Sequence, residues 1–251
     1  MNKHSVALIL PYFGKFPNYF PLWLKSAGAN TSFTFMIFTD NDMTGYNVPA
    51  NVYVHSMTLE QIRTRISRHL DFEPVLNTAY KLCDYKPMYG LIFEDYLSGY
   101  DFWGFCDCDL IWGDMNRFIT DDLLDRYGKL YRNGHLQLFR NTEDVKHFAL
   151  HKLPYWNISY RDIYRVTRYI GLDEFTLSEN LFSTFTDWGG GNITYQTLQT
   201  YHPSLKSSSD SGAVWPFLHS GGKTARYSHF LLAAILRRTQ NICIYTFRRG
   251  P

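Results

Sequence analysis

Phe102-Trp103-Gly104-Phe105-Cys106-Asp107-Cys108-Asp109 joins an apolar run to two carboxylates that are one residue apart. The aromatic and apolar residues predict a short buried strand. Asp107 and Asp109 follow where that strand would end, and residues i and i+2 of an extended segment point the same way. Since ligands bind beyond the carboxyl ends of the strands in open α/β sheets, this stretch predicts a strand that carries two acidic side chains to a binding edge.

Apolar strands and helical stretches alternate along the chain before and around this stretch. That alternation is typical of an α/β fold with a mostly parallel central sheet and helices on both faces. Further along, Asn133-Gly134 predicts a small hairpin region. The predicted strands are Ser5–Leu10, Phe33–Thr39, Val52–His55, Asp101–Cys106, Leu130–Arg132 and Leu136–Arg140. The predicted helices are Pro17–Ala29, Thr58 to Leu70, Pro87–Leu97, Asp121–Tyr127, Thr142–His147 and Tyr160–Ile170.

Composition limits the class of protein. The chain has 251 residues, 45% of them hydrophobic and 19% charged, so it can form a sizeable core and is not expected to be disordered. A net charge of +2 gives no case for nucleic-acid binding. The apolar run Val6–Leu10 is too short for a signal peptide or a membrane span. Cys106 and Cys108 are too close for an ordinary zinc knuckle, and we expect a cytoplasmic protein with reduced thiols.

The acidic pair predicts a metal site. Carboxylate oxygens suit Mg²⁺ or Mn²⁺, and such an ion can neutralise a diphosphate as it leaves. The motif is short, and the alternative is a pair of solvated loop carboxylates. The apolar residues Leu110-Ile111-Trp112 that follow favour the metal site, because carboxylates flanked by apolar strand residues are costly unless they coordinate something.

Six segments resemble one family. They are Leu10–Pro17, Phe38–Asp40, Tyr80–Pro87, Phe102–Asp114, Gly134–Asn141 and Asp187–Gly190. Through them, residues 7–191 resemble a group of largely uncharacterised bacterial polysaccharide-biosynthesis proteins that look like type-A (Asp-x-Asp) glycosyltransferases. The resemblance implies a GT-A-like, Rossmann-like fold, a nucleotide-sugar donor that is UDP-linked, and Mn²⁺ or Mg²⁺ held by Asp107 and Asp109. It further implies a glycan or lipid-linked glycan acceptor.

The resemblance also implies roles for single residues. The donor-binding set is Pro11, Tyr12, Phe13 and Gly14 against the nucleotide, Thr39 and Asp40 at the base or ribose, Asp84 and Lys86 facing the donor, and Arg140 and Asn141 near the donor sugar. The acceptor side is Trp188, Gly189 and Gly190, with Asp187 as the catalytic base or a sugar-binding carboxylate. Structural alternatives stay open: a turn at Pro11–Gly14, a helix cap at Asp84, a solvated Lys86, an ion-pair role for Arg140, and flexibility at Gly189–Gly191.

The last part of the chain departs from the family pattern. We expect residues 1–195 to form the GT-A-like domain and residues 196–251 to be a poorly packed basic tail. Residues 201–251 carry seven basic residues and one acidic residue. Family members usually end in a Tyr-Ile-His-Leu-Gln-Lys-Arg-like segment, which a neighbouring reading frame of this tail permits. We hypothesise a frameshift between Asn192 and Ser211. If the tail is genuine, His219 is a candidate third metal ligand, or the tail contacts anionic lipid at the inner face of the cytoplasmic membrane.

The sequence leaves three candidate functions. The first is a sugar transferase of surface-glycan synthesis. The second is a non-catalytic remnant that keeps the donor fold without a complete C-terminus. The third is a metal-dependent nucleotidyltransferase, which usually carries a glycine-rich basic phosphate loop after the first strand. Tyr12-Phe13-Gly14-Lys15 is too short and aromatic for that loop, so the third function is disfavoured.

Overall fold

The computed structural model describes residues 3–131, 135–150, 152–153, 158–171 and 195–196. Its strands are β1 (Val6–Pro11), β2 (Phe33–Thr39), β3 (Val52–Ser56), β4 (Phe102–Cys106), β5 (Lys129–Leu130), β6 (Leu136–Arg140), β7 (Lys152–Leu153), β8 (Ile158–Ser159) and β9 (Tyr195–Gln196). Seven of them form one sheet in the order β3-β2-β1-β4-β6-β5-β9, and β7 pairs with β8.

Four neighbouring strands of the sheet, β3, β2, β1 and β4, run parallel. The chain leaves β1 towards β2 on one side and returns later to β4 on the other, so the strand order reverses between β1 and β4. Beyond β4 the direction changes, because β6 pairs with it antiparallel. A crevice at the carboxyl ends of β1 and β4 is where a doubly wound sheet binds its ligands, and β4 ends at Cys106, directly before Asp107.

Helices cover both faces of the sheet. They are α1 (Phe20–Gly28), α2 (Leu59–Ser67), α3 (Tyr89–Ile92), α4 (Asp121–Arg126), α5 (Glu143–His147) and α6 (Tyr160–Arg165). Alternate β1 side chains point to opposite cores: Ala7 and Ile9 pack with α2, α3, α5 and α6, whereas Leu8 and Leu10 pack with α1 and α4. The predicted α/β class, with a mostly parallel sheet between two helical layers, is confirmed.

The predicted helix Pro87–Leu97 is broken into three parts. The chain forms a 3-10 helix over Ala79–Met88, then α3, then a 3-10 turn over Glu94–Tyr96. Pro87 lies inside the first part, where it lacks the N–H that a regular α-helix would use. Gly90 in α3 packs directly against the Trp103 side chain of β4. A Cβ at this position would lie 2.6 Å from the indole ring, so the close packing requires glycine. The predicted helix Tyr160–Ile170 is also shorter and ends at Arg165.

The predicted hairpin is present as the antiparallel pair β5–β6, with Leu130 opposite Leu138. The first strand ends two residues earlier than predicted, because Tyr131 adopts a left-handed conformation with φ 68°. Asn133-Gly134 lies outside the described residues.

Two further observations concern the rest of the chain. Tyr195–Gln196 adds β9 in parallel beside β5, a strand that the sequence patterns did not predict. The tail after residue 196 lies outside the described residues. Within the part of the chain that is described, every helix is too short or too polar to cross a membrane.

Candidate active site

Asp107 is fixed by its backbone at the carboxyl end of β4. Its N–H donates to the carbonyl of His135 at 3.1 Å, which extends the β4–β6 ladder by one step. Its carbonyl accepts from the indole N–H of Trp23 in α1 at 3.0 Å. Beyond it, the chain bends at Cys108 and Asp109 instead of continuing as a strand. Contacts from a helix and from the hairpin therefore hold the first aspartate where the crevice is expected.

The Asp107 carboxylate lies between two nitrogen-bearing side chains. The ammonium Nζ of Lys86 donates to its Oδ1 at 2.8 Å, and Nδ1 of His135 lies 3.6 Å from its Oδ2. Burial by itself would raise the pKa of Asp107, but the charges of Lys86 and His135 outweigh it and the pKa is lowered. Asp107 is consequently an ionised carboxylate with part of its surface, 31% of the side chain, still exposed.

Asp109 has the opposite electrostatic character. Burial, and then the negative charge of Asp107, raise the pKa of this carboxyl group. Its Oδ1 is buried, and no described residue donates a hydrogen bond to it. A buried carboxylate oxygen without a donor is costly, and a cation is the partner that would satisfy it. The two carboxyl groups thus interact, and their pKa values are shifted in opposite directions by their different surroundings.

The donor set fits a hard divalent cation. Within the residues that the structure describes, no three His, Cys, Asp or Glu side chains are grouped to hold a metal ion. Mg²⁺ and similar ions are commonly held by only one or two carboxylates, with substrate phosphates and water completing the shell. Asp107 and Asp109 fit that arrangement, because the buried Oδ1 of Asp109 has no hydrogen-bond partner among the described residues and would accept a cation.

Lys86 reaches Asp107 because the 3-10 helix Ala79–Met88 is tied into the interior. Lys81, in the same segment, donates to Oδ2 of Asp84 at 2.7 Å and to the carbonyls of Ile163 and Arg168. Lys81 and Asp84 have side chains that are 1% and 0% exposed. This buried pair fixes the backbone two residues before Lys86, whose side chain then crosses the Phe105 ring towards Asp107.

Asp84 therefore lies in the interior and not on the surface of the crevice. Both of its oxygens are engaged, by Lys81 and by the backbone N–H groups of Ile170 and Gly171. The expectation that Asp84 faces the donor is therefore wrong, because its side chain is fully buried. Its carboxylate instead binds Lys81 and so holds the 3-10 helix that carries Lys86. It is not a helix cap either, because the 3-10 helix begins at Ala79 and Asp84 lies inside it.

The loop after β1 does lie at the same edge of the sheet as Asp107. Pro11 is the last residue of β1, and Gly14 adopts φ 97°, a conformation that favours glycine. Thr39 ends β2 beside it, with its hydroxyl accepting from the backbone and side chain of Asn41. The Asn41 amide also donates to the Gly14 carbonyl, which joins the two loops. Tyr12 and Phe13 are half-buried here, and Asp40 is exposed.

Arg140 and Asn141 lie at the opposite end of the sheet. Because β6 is antiparallel to β4, Arg140 pairs with Phe102 while Leu136 pairs with Cys106. The Arg140 guanidinium donates to the backbone carbonyls of Leu124, Asp125 and Tyr127, and the Asn141 amide donates to those of Leu97 and Tyr100. The expectation that both residues lie near the donor sugar is wrong, because they lie at the end of β4 that is opposite to Asp107. There they hold backbone carbonyls in place.

The predicted acceptor residues Asp187, Trp188, Gly189 and Gly190, and the candidate ligand His219, lie outside the described residues. Their roles stay predictions.

A family model matches residues 8–231, which is most of the chain, and its description is a family of unknown function, DUF6625. The chain belongs to the DUF6625 family. The comparison with curated proteins found no match.

The solved structures to which this chain is similar include glycosyltransferases, at low identity. The galactosyltransferase LgtC, in complex with donor and acceptor sugar analogues, gives a TM-score of 0.41 at 13% identity over 75% of this chain and 72% of LgtC. A glycosyltransferase involved in glycosylation of the major capsid of PBCV-1 gives 0.40 at 11% identity, over 77% of this chain and 81% of that one. GlyE of Streptococcus pneumoniae TIGR4 gives 0.32 at 14% identity, over 79% of this chain and 46% of GlyE.

Two residues of this DUF6625 protein contact the site without having been predicted to do so. His135 belongs to the family segment Gly134–Asn141 but had no predicted role, and it contacts Asp107 through its backbone carbonyl and flanks the carboxylate with its ring. Trp23 lies in a helix whose apolar pattern indicates core, and only its indole N–H reaches the site. No sequence signal indicated His135, because its place beside Asp107 follows from the antiparallel pairing of β6 with β4, which a hairpin signal does not give.

Proposed function

We propose that this chain is a glycosyltransferase that moves a sugar from a nucleotide-sugar donor, UDP-linked, to a glycan or lipid-linked glycan acceptor with Mn²⁺ or Mg²⁺. The observation that carries the proposal is the group formed by Lys86, Asp107 and Asp109 at the carboxyl end of β4. It combines two carboxylates, one with an unsatisfied buried oxygen, and a lysine close enough to share a diphosphate with them.

The chemistry of this group suits a diphosphate leaving group. When bound, the cation would neutralise the diphosphate as the bond from the anomeric carbon to the leaving oxygen breaks. Lys86 would add a positive charge to the same oxygens, while Asp107 and Asp109 hold the cation in place. The acceptor hydroxyl forms the new bond and loses its proton to a base, for which Asp187 is the candidate. No protein nucleophile is required for this reaction.

The test is a comparison of Asp109→Asn with a matched surface variant, Asp122→Asn, whose exposed carboxylate pairs with Arg126 of the same helix. We expect Asp109→Asn to abolish Mn²⁺-dependent binding of the donor, measured by isothermal titration calorimetry. It should not lower the thermal midpoint, because Oδ1 accepts no hydrogen bond that would be lost. Asp122→Asn should change neither property. Unchanged donor binding in Asp109→Asn would contradict the site.

The donor itself is to be found by a thermal-shift screen of nucleotide sugars with Mn²⁺, since a ligand that binds only the folded state raises its stability. The purified chain should then hydrolyse or transfer the sugar of the donor that stabilises it. Binding of a donor with neither hydrolysis nor transfer would instead indicate a non-catalytic remnant.

A further inference from the structure

Three buried side chains with polar groups form a cluster at α1, the α1 polar cluster. Trp23 and Ser26 are three residues apart and therefore lie on one face of the helix, and Asn30 follows shortly after its end at Gly28. The exposed fractions of the three residues are 0%, 8% and 2%. Since burying a polar group is unfavourable unless it forms a hydrogen bond, we expect each of them to have a partner nearby.

The first two members bind the backbone of the acidic loop, residues 107–114, which carries both aspartates. The indole N–H of Trp23 donates to the Asp107 carbonyl at 3.0 Å. The Ser26 hydroxyl accepts from the N–H of Trp112 at 3.1 Å, and it donates to the Trp23 carbonyl within the helix at 2.8 Å. The backbone of the acidic loop is thus held on both sides of its second aspartate.

Asn30 binds the far end of the same loop. Its amide nitrogen donates to the Gly113 carbonyl at 2.9 Å and to the Ser26 carbonyl at 3.0 Å. Its side-chain oxygen accepts from the N–H of Met115 at 2.9 Å, where the next 3-10 helix begins. One buried amide group therefore uses both of its ends to tie the exit of the acidic loop to α1.

Apolar packing supports the same attachment. Leu110 and Trp112 of the loop, and Met115 after it, are buried in the core that contains Trp23. The loop itself, all of which the structure describes, forms neither a helix nor a strand, so no regular ladder of backbone hydrogen bonds fixes its course. The contacts with α1 consequently supply the hydrogen bonds that a helix or a strand would otherwise provide.

We propose that the α1 polar cluster positions the two aspartates, and that the backbone it holds makes the pair selective for a small, hard cation. The inference rests on the proposed function and adds to it the residues that set the choice of cation. Mg²⁺ requires a nearly ideal octahedral shell at about 2.0–2.1 Å, whereas Ca²⁺ accepts irregular shells at about 2.3–2.6 Å. A loop that can shift still surrounds Ca²⁺, but it holds the carboxylates less often in the arrangement that Mg²⁺ needs.

The experiment measures the dissociation constant of UDP by calorimetry in saturating Mg²⁺ and, separately, in saturating Ca²⁺. Trp23→Phe removes the indole N–H, and its matched control is Trp103→Phe, at an equally buried indole whose N–H has no hydrogen-bond partner among the described residues. Ser26→Ala removes the hydroxyl. Its matched control is Ser67→Ala in α2, where the lost hydroxyl donates to the Arg63 carbonyl of the same helix at 3.1 Å.

The two cations should respond differently to loss of the cluster. Removing a residue that orients a metal ligand commonly weakens metal binding by about 10–100-fold. We therefore expect Trp23→Phe and Ser26→Ala each to weaken UDP binding about tenfold or more with Mg²⁺ but less than about threefold with Ca²⁺, and both controls to stay within about twofold. A merely structural role would weaken binding with both cations alike, so the ratio of the two constants distinguishes positioning from stability.

The proposal is overturned if folded Trp23→Phe or Ser26→Ala keeps the ratio of the unmodified protein, or if the controls change it equally. Circular dichroism checks folding, and Ser26→Ala, the smaller change, carries the test if Trp23→Phe does not fold. Absence of UDP binding by the unmodified protein, or binding that needs no divalent cation, would overturn both the proposed function and this inference. An unchanged ratio in a protein that binds UDP only with the cation would overturn this inference alone.

Discussion

Replacing Asp84 by Asn should lower the free energy of unfolding far more than the same change at Asp71, which forms an equally short but exposed ion pair. Oδ2 of Asp84 accepts from Lys81 Nζ at 2.7 Å and from Ile170 N at 2.9 Å, and Oδ1 accepts from Gly171 N at 2.8 Å. Both oxygens thus face N–H donors. An asparagine offers one oxygen and one NH₂ group, so one of its two ends must oppose a donor, and the Lys81 charge loses its counterion.

The size of the effect follows from burial. Breaking a buried ion pair by removing one partner costs about 3–5 kcal/mol, because the remaining charge is uncompensated. For a domain of this size, each kcal/mol shifts the thermal midpoint by roughly 2–4 °C, so we expect a loss of about 6 °C or more. The matched control is Asp71→Asn: the Asp71–Arg161 pair is as short, at 2.6 Å, but the Asp71 side chain is 65% exposed. Water screens such an exposed pair, so its loss should lower stability far less.

The assay is urea unfolding followed by circular dichroism, with thermal midpoints as a second measurement. A double variant, Lys81→Met with Asp84→Leu, removes both charges and should recover much of the loss, because apolar replacement of a buried pair is often close to neutral. Equally small losses of stability for Asp84→Asn and Asp71→Asn would refute the reasoning, since burial would then not govern the energy of the Lys81–Asp84 pair.

Two further predictions concern the scaffold. Arg65 donates two hydrogen bonds to Asp95. These hydrogen bonds are the largest cause of the lowered pKa of the Asp95 carboxyl group, and they outweigh burial, which would raise it. A lowered folded-state pKa means that the contribution to stability is present above about pH 4, the unfolded-state value, and is lost as pH falls through the folded-state pKa. The difference in thermal midpoint between Asp95→Asn and the unmodified protein should therefore shrink as pH is lowered below about 4. A difference that stays constant argues against this reasoning. Gly104→Ala should destabilise the protein by about 1–3 kcal/mol in urea unfolding, because its Cβ would overlap the Gln137 carbonyl and a Leu138 methyl group across the β4–β6 pair.

Three of the four parallel strands, β1, β2 and β4, could be predicted from the sequence because they are buried on both faces. Such strands are nearly continuous apolar runs, which separates them from amphipathic helices. Phe33–Thr39 was predicted with the bounds that the structure shows. The start of α2 was likewise predictable, since the Thr58 hydroxyl and the Gln61 side chain form the reciprocal capping box that their spacing indicates.

The direction of β6 was the step that sequence patterns could not supply. A hairpin signal shows that two strands pair, but not which strand of the sheet the second one joins. Because β6 joins β4 antiparallel, its first residues lie at the carboxyl end of β4 and its last at the amino end. That single fact brings His135 to Asp107 and places Arg140 at the far edge of the sheet, although both belong to one family segment.

The different environments of the two aspartates are likewise invisible in the sequence. Asp107 and Asp109 have the same chemistry in isolation, and only the fold gives one of them a lysine and leaves the other with an unsatisfied buried oxygen. The lysine comes from a 3-10 helix whose position depends on a buried ion pair with the chain near Ile170. Two identical side chains one residue apart thus have pKa values shifted in opposite directions, which follows from the contacts that the fold supplies and not from the motif.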